Sequence, residues 1–545
     1  SLLDAEVKEV NVNRMRHLVL EAQGKYQEAE QHLHKILDLS RFQPVKERKP
    51  RNTINTRIHL SQNLSRQHRL LEAEVEARQA VKEALGFGGL ESDLTVRAVR
   101  RLAGVMSAQR RLDDAERLAR TAIRILDASG FPSDSNEMCN SQMFLGNVLS
   151  RKGDFPEAMK QFDLAREGMK ENLYLYETMF TRNSNLMLTL LKTGRLDEAM
   201  RIISDVYEWN RKNFGQKHRE TIMTLGLRGM ANAMAGNDRQ GFDDLSAAMP
   251  VMMERGNNQN LTDRLHRAIL ESYIDFLGRI YGTPLEKELG LRAEDEAFRI
   301  AGYLGGQSIQ EALGESSARA AASYDAELSA LVRQEQDMHK QVQALQEDLS
   351  DALMAPPGQQ DVQALNALKT TMDDMEKARN AILAEINNRF PKYAGFTNPQ
   401  PVTIGQVRGT LHPNEALISI FTEGGKSYIW AVPKQGENRF SVAPLGRRTL
   451  RQTVTHLRKA LDPNPQTLGD IPSFDLIQAY DLYRILLKPV EPAWKDAKDL
   501  LITISGPLDQ LPLSLLPTEP VELSSKKEEL FAHYREVPWL IRKAS

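Results

Sequence analysis

The chain has 545 residues, 41% hydrophobic and 26% charged, which is ample for folded cores and argues against wholesale disorder. Its 71 Lys and Arg against 73 Asp and Glu leave a net charge of −2, so no global positive field draws it to nucleic acid or anionic lipid. The single cysteine, Cys139, excludes an internal disulfide, a Cys-based zinc site and an iron–sulfur cluster, and fits a reducing, cytoplasmic setting. No apolar run reaches the roughly 18 residues of a membrane helix. The first residues, SLLDAEVKEV, lack the basic and apolar regions of a signal peptide and an initiator Met, which predicts a piece of a longer polypeptide.

The first half repeats. The string GKYQEA at 24–29 returns as HRLLEA (68–73), RRLDDA (110–115), GDFPEA (153–158), GRLDEA (194–199) and GNDRQG (236–241). Its final small residues are Ala29, Ala73, Ala115, Ala158, Ala199 and Gly241, spaced 44, 42, 43, 41 and 42 residues apart. Nine positions before them stand Leu20, Leu64, Met106, Leu149, Leu190 and Asn232. Four positions after stand Leu33, Ala77, Ala119, Phe162, Ile203 and Leu245, and seven after stand Ile36, Ala80, Ala122, Ala165, Val206 and Ala248. Offsets of four and seven share one helical face. The small residue opens the buried stripe of a second helix where the first helix crosses closely, and the residue five earlier fits the turn between them. Each unit is a helix–turn–helix that buries its apolar face only against neighbours. The sixth unit, with Gly241 and Asn232, reads as a worn or capping repeat.

This pattern resembles the tetratricopeptide repeat, whose most specific element is the G-x-x-x-E-A turn. The long units, and the segment NFGQKHRET at 213–221, resemble the long-helix variant of kinesin light chains. A HEAT or armadillo solenoid matches the period but not the turn. A solenoid's concave face binds extended partners. Arg57, on the first helix of the second unit, and Arg97, Arg100 and Arg101, on that of the third, are placed to clamp an acidic protein or peptide segment; a solvated helix face is the alternative. His17, His32, His34, His59 and His68 are scattered, and no metal site is expected.

Residues 264–325 read as connecting helices. A heptad seam follows at Leu328, Leu331, Met338, Val342, Leu345, Leu349 and Ala352, with Glu335 as its polar interruption. After the breaker PPGQQ (356–360), a second seam runs through Leu365, Leu368, Met372, Met375, Arg379, Ile382 and Ile386. Two such helices predict an antiparallel coiled-coil hairpin, read as a spacer or lever. Beyond FPKYAGFTNPQP (390–401), β-like runs at 416–421 and 428–433, separated by EGGKS that reads as a hairpin turn, and a third run at 440–443 precede helical patterns at 447–461 and 474–488. DLLITI (499–504) then reads as a strand buried in a mainly parallel sheet.

That strand runs into Gly506-Pro507-Leu508-Asp509, then Leu511-Pro512 and Leu515-Leu516-Pro517. Together with FRIAGYLGGQSIQEAL (298–313), RFPKY (389–393) and NPQP (398–401), this resembles the first half of a CHAT domain. The chain as a whole resembles bacterial TPR–CHAT proteins, in which tetratricopeptide repeats precede a caspase-like peptidase domain. The fold expected is mainly α: a solenoid over 1–260, a helical connector over 261–325, a coiled-coil hairpin over 326–390, and the N-terminal half of a CHAT α/β domain over 391–545. The family's cysteine peptidase chemistry needs a His-Gly pair and a strand-terminal Cys, and neither motif occurs here. His412, His456 and His533 do not match it, so no catalytic residue is carried over. Cys139 lies in a solenoid helix and reads as a packed thiol, and Ser505 before Gly506 is not a G-x-S-x-G elbow. No cofactor is expected.

A parallel sheet ending at these strands predicts an unpaired edge that further chain or a partner completes. The function expected by resemblance is the sensor and regulatory part of a caspase-like cysteine peptidase, bound by a protein or nucleoprotein partner of CRISPR or gasdermin type. The competing reading is a non-enzymatic scaffold with a degenerate CHAT module.

Overall fold

The period near 42 residues becomes six helical pairs. They are α1 (Leu2–Glu21) with α2 (Tyr26–Phe42), α3 (Pro50–Arg66) with α4 (Leu70–Gly88), and α5 (Asp93–Ala108) with α6 (Leu112–Ala128). Then follow α7 (Asn136–Lys152) with α8 (Phe155–Gly168), α9 (Ser184–Lys192) with α10 (Leu196–Phe214), and α11 (Arg219–Ala235) with α12 (Asp238–Met252). This computed structural model describes residues 2–21, 25–42, 50–172, 174, 176–253, 264–305, 325–353, 361–391, 393, 401–463, 472–521 and 532–544. They divide into two compact units, Ser1–Ile269 with Glu315–Phe396, and Leu270–Gly314 with Thr397–Ser545.

The register residues behave as close-crossing points. Ala29, Ala73, Ala115, Ala158 and Ala199 all have 0% exposure, and the positions four and seven residues on are buried with them. Gly241 is not decay. A Cβ there would stand 2.9 Å from the backbone nitrogen of Ala233, so α11 and α12 cross too closely even for alanine. Asn232 is likewise built in: its amide donates to Asp244 (3.2 Å), whose carboxylate also takes a two-pronged grip from Arg228 at 2.8 and 2.7 Å. A polar cluster has replaced the apolar residue of the other pairs.

The turn between paired helices needs a left-handed residue. His68 (φ 58°), Arg110 (64°), Gly153 (87°), Gly194 (79°) and Gly236 (80°) fill it; Gly24 lies outside the described residues. The next N–H then closes on the carbonyl nine positions before the register residue: Arg69 on Leu64, Arg111 on Met106 and Asp154 on Leu149, at 2.9 to 3.0 Å. This is the closure of a Schellman motif. Two pairs thus hold a side-chain-bearing residue where glycine is favoured. His68→Gly and Arg110→Gly are each expected to raise stability by roughly 0.5–1 kcal/mol, the left-handed cost less glycine's added entropy. Urea midpoints measure this, and a lowered midpoint in both variants would contradict it.

The hairpin is formed by α15 (Ala326–Leu353) and α16 (Val362–Arg389); its PPGQQ breaker lies outside the described residues. Leu328 and Val332 pack on Ile382 and Ile386 at one end. Leu345, Leu349 and Leu353 pack on Leu365, Leu368 and Met372 at the other. Between these layers the two polar interruptions meet: Arg379 Nε donates to Glu335 at 2.8 Å, with side chains 17% and 16% exposed. A paired charge inside an apolar seam penalises any slipped register, which would leave both ions unpartnered.

In the second unit, β1 (Glu415–Glu423), β2 (Lys426–Pro433), β3 (Arg439–Ala443) and β4 (Asp499–Ile504) form one sheet in the order β3-β2-β1-β4. β1 pairs antiparallel with β2 through Glu423↔Lys426, so only Gly424 and Gly425 make the turn. β2 and β3 are also antiparallel, and only β1–β4 is parallel, in the register Ile418↔Ile502. The sheet is therefore mixed, against the expectation of a mainly parallel one. The cause is local: a two-residue Gly-Gly connection can only return the chain as a hairpin. The helical patterns appear as α18 (Arg447–Leu461) and α19 (Leu476–Leu486), numbered after α13 (Arg264–Ile280), α14 (Ala293–Gly305) and α17 (Ile404–Thr410).

Both faces of β1 and β2 are covered. Ala416, Ile418, Ile420, Ile429 and Ala431 join α18, α19 and Trp494 in one core. On the other face Trp430 stacks on Phe440 (4.9 Å), meets Phe298 of α14 edge-on (5.7 Å) and donates its indole N–H to the Glu294 carbonyl at 3.0 Å. β4 differs from the buried strand its sequence predicts. It lies at the end of the strand order, and Leu501 is 47% exposed on the face it shares with Leu417 and Trp430, opposite the α18–α19 core. Its apolar residues suit cover on both faces, and among the described residues only one face has it.

Candidate functional site

Of the four arginines expected to face a partner, Arg57, Arg100 and Arg101 are engaged within the solenoid. Arg57 reaches the second helix of its own pair, donating to Glu76 at 2.6 Å and Glu83 at 2.9 Å with its side chain 10% exposed. Arg100 crosses from α5 to α7, pairing with Glu137 at 2.8 Å. Arg101 crosses the other way, to the hydroxyls of Ser61 (3.2 Å) and Ser65 (2.6 Å) on α3. Burial pushes its guanidinium down to about 10, so it stays charged at neutral pH. Arg97 is half-buried, and its charge acts on His59, whose ring lies 5.7 Å from that of His17. Arg100 and Arg101 thus fasten successive first helices to one another.

The turn after β4 is built as a strand terminus. Gly506 is left-handed (φ 98°), Pro507 begins the 3-10 turn Pro507–Gln510, and Leu508 and Leu511 plug the core at 0% and 3% exposure. Pro512 leads into the next turn, Leu513–Leu515. The Ser505 hydroxyl accepts the Thr422 N–H at 3.2 Å, which ties the end of β4 to β1. His456 lies on α18 beside Asp475 at 3.4 Å. Cys139 is buried, its thiol turned to the Ser133 carbonyl at 3.7 Å, and burial raises its pKa, so it carries little thiolate. Among the described residues, no group of three or more His, Cys, Asp and Glu side chains is arranged to hold a metal ion. Among them also, no helix is long and apolar enough to cross a membrane.

A cleft of about 880 Å³ lies among α4 to α8, lined by Arg78, Arg111, Arg117, Arg120 and Arg124 over a floor that includes Leu102, Met106 and Leu145. Its positive charge is largely answered. Arg111 and Arg117 both grip Asp114, Arg78 holds Glu74, and Arg120 holds Glu116.

The most developed surface was not legible as a site in the sequence. The hairpin's tip lies on the solenoid. Tyr26 of α2 donates its hydroxyl to Asp348 of α15 at 2.6 Å, both residues being 5% exposed. Arg66 of α3 stands 3.4 Å from the same carboxylate, its guanidinium 5.7 Å from the Tyr26 ring. Far along the repeat array, Lys369 of α16 donates to the Asn213 carbonyl at 2.6 Å. Trp209 and Phe214 of α10 pack on the Leu345–Met372 layer. Trp209 is covered on its other side by Arg182, 3.6 Å from the ring centre, and Phe214 stacks on His218 at 4.3 Å. His218 also caps α11, its Nδ1 accepting the Glu220 N–H at 3.2 Å.

Helical pairs, left-handed turns and buried small-residue crossings define this class of protein: a tetratricopeptide-type α-solenoid with a coiled-coil hairpin and a small mixed sheet. No family model matches the chain, and no curated protein matches it. Solved structures do. Two crystal structures of kinesin light chain TPR-like repeats from Podosopora anserina are each 16% identical, cover 37% and 40% of this chain and 95% and 99% of theirs, and superpose at a TM-score of 0.31. BtubC (BKLC) from P. vanneervenii is 13% identical over 45% of this chain and 91% of its own, with a TM-score of 0.29. The assignment to the class rests on this chain's own repeat geometry.

Proposed function

We propose that the chain is the sensor, scaffold and regulatory portion of a TPR–CHAT cysteine peptidase, its solenoid receiving a protein or nucleoprotein partner that controls proteolysis. The order of solenoid, hairpin and sheet supports this reading. The observation that carries it is β4. It is a strand parallel to β1, at the end of the strand order, with Leu501 half-exposed and a left-handed Gly506 turn at its carboxyl end. In α/β sheets, reactive groups gather at the carboxyl ends of parallel strands, and a further strand beside β4 would bring its own there. The boundaries 1–260, 261–325, 326–390 and 391–545 remain the proposed division of labour. The rival, a scaffold with a degenerate peptidase-like module, shares everything except that chemistry.

A thiol-directed acyloxymethyl ketone applied to the full natural protein separates the two. The peptidase reading expects labelling of a cysteine encoded beyond residue 545, preceded by a His-Gly pair, with Cys139 untouched because its thiol is buried and protonated. A natural protein with neither motif and no labelling would leave only the scaffold.

A further inference from the structure

We propose that the solenoid surface made by Tyr26, Arg66, Trp209 and Phe214 is a helix-binding seat, occupied here by the chain's own hairpin and taken over by an acidic amphipathic helix of a partner. This deepens the proposed role of the solenoid as the receiver of a protein partner and rests on it.

The occupant defines the chemistry. It presents Leu345, Leu349 and Leu353 at intervals of one helical turn, with Asp348 set beside them. The seat answers with the aromatic pair Trp209 and Phe214 and, for the carboxylate, the Tyr26 hydroxyl and the Arg66 guanidinium. A partner helix with the same leucine spacing and an acid one residue before the central leucine meets the same groups. Aromatic rings that cover a leucine row, with a cation at one end, are the recognition chemistry of a helix in a groove.

Exchange is physically accessible because the hairpin carries its own core. Its two apolar layers and the Glu335–Arg379 pair between them join α15 to α16, and of these only the Leu345–Met372 layer also meets the solenoid, at Trp209 and Phe214. The hairpin can leave as one body without unpacking itself. The polar groups it gives up, the Asp348 carboxylate and the Lys369 ammonium, are ions that water solvates well. On the solenoid side, Trp209 keeps Arg182 over one face and Phe214 keeps His218. Such an opening costs far less than global unfolding and gives the two states that regulation requires. A tethered occupant also competes at an effective concentration near the millimolar range, so only a helix matching the seat displaces it.

The test uses the whole chain with Cys139→Ser and nitroxides at Glu208→Cys and Asn366→Cys, on solenoid and hairpin respectively. Pulsed dipolar spectroscopy should give one short distance. In a release variant, Asp348→Lys with Lys369→Glu, both outside the hairpin's own apolar layers, a longer population should appear. A fluorescein-labelled peptide of residues 340–354 should then bind the release variant at least tenfold more tightly than the unaltered chain. Adding Trp209→Ala should cancel that gain. A distance unchanged in the release variant would overturn the exchange, and so would a peptide that fails to bind it or whose binding survives Trp209→Ala. Either failure leaves the peptidase reading standing, since that is decided by the thiol probe.

Discussion

Lowering the pH from 7 to 5 is expected to cost the solenoid-containing unit about 6 kcal/mol of stability through three buried histidines. Three of its histidines are held neutral. Burial brings His59, His218 and His266 each down from 6.5 to about 4. Neighbouring cations push the same way: Arg97 and Arg14, with the His17 ring, at His59; Arg219 and Lys369 at His218; Arg219 at His266. The unfolded chain takes up these protons as pH falls through 6.5, while the folded chain refuses them until about 4. Stability is therefore complete above neutrality and is lost on acidification through that window. At pH 5 each site forfeits about 2 kcal/mol. For His218 there is a structural reason as well. Its Nδ1 accepts a backbone N–H at the start of α11, and protonation turns that acceptor into a donor. The new charge would also repel Lys369 and so oppose the hairpin's docking. Urea denaturation at pH 7, 6 and 5 measures the loss. The triple variant His59→Gln, His218→Asn, His266→Gln should flatten it, with Asn keeping the helix cap. A urea midpoint that does not move between pH 7 and 5 would refute the argument.

The solenoid was legible because its logic is periodic. A small register residue, an apolar stripe at four and seven, and a turn residue five before leave traces in the sequence that repeat six times. The hairpin was legible for the same reason, down to the two polar interruptions, Glu335 and Arg379, which are 44 positions apart and meet across the seam. The strands were readable as runs, and EGGKS marked the first two as an antiparallel hairpin, but the place of β4 beside β1 was not readable, since it depends on which strand β4 meets. β4 shows the limit most clearly. An apolar hexapeptide specifies that it would suit cover on both faces; it does not say whether cover is present. The candidate site was hidden for a related reason. Tyr26 and Asp348 lie 322 positions apart and belong to different periodic patterns, so nothing in either pattern announces their meeting. The arginines were visible as charge, but Glu76, Glu83, Glu137, Ser61 and Ser65, which take up their donors, lie in neighbouring helices whose facing is fixed only by packing.

Replacing Phe162 with alanine is expected to cost about 3–5 kcal/mol, the range for emptying a fully buried aromatic site. Its position, four after the register residue, has 0% exposure, and alanine fills the same place at Ala77 and leucine at Leu245. What makes room for a ring in this pair alone is Gly146, on the facing first helix, twelve positions before Ala158. A Cβ at Gly146 would stand 2.8 Å from Phe162 Cε1. The same pair of positions recurs in the sixth unit, where a Cβ at Gly229 would stand 2.7 Å from Leu245 Cγ. Side-chain volume on one helix is thus matched to its absence on the other. In the native background Gly146→Ala should destabilise by roughly 1–3 kcal/mol through overpacking, despite alanine's better helix propensity. In a Phe162→Leu background the clash is relieved, and the same Gly146→Ala change should become neutral or stabilising by up to about 1 kcal/mol. Urea midpoints of the four chains, native, both singles and the double, form a cycle whose coupling reads the contact directly. Additive singles would mean that the two helices do not meet through this pair.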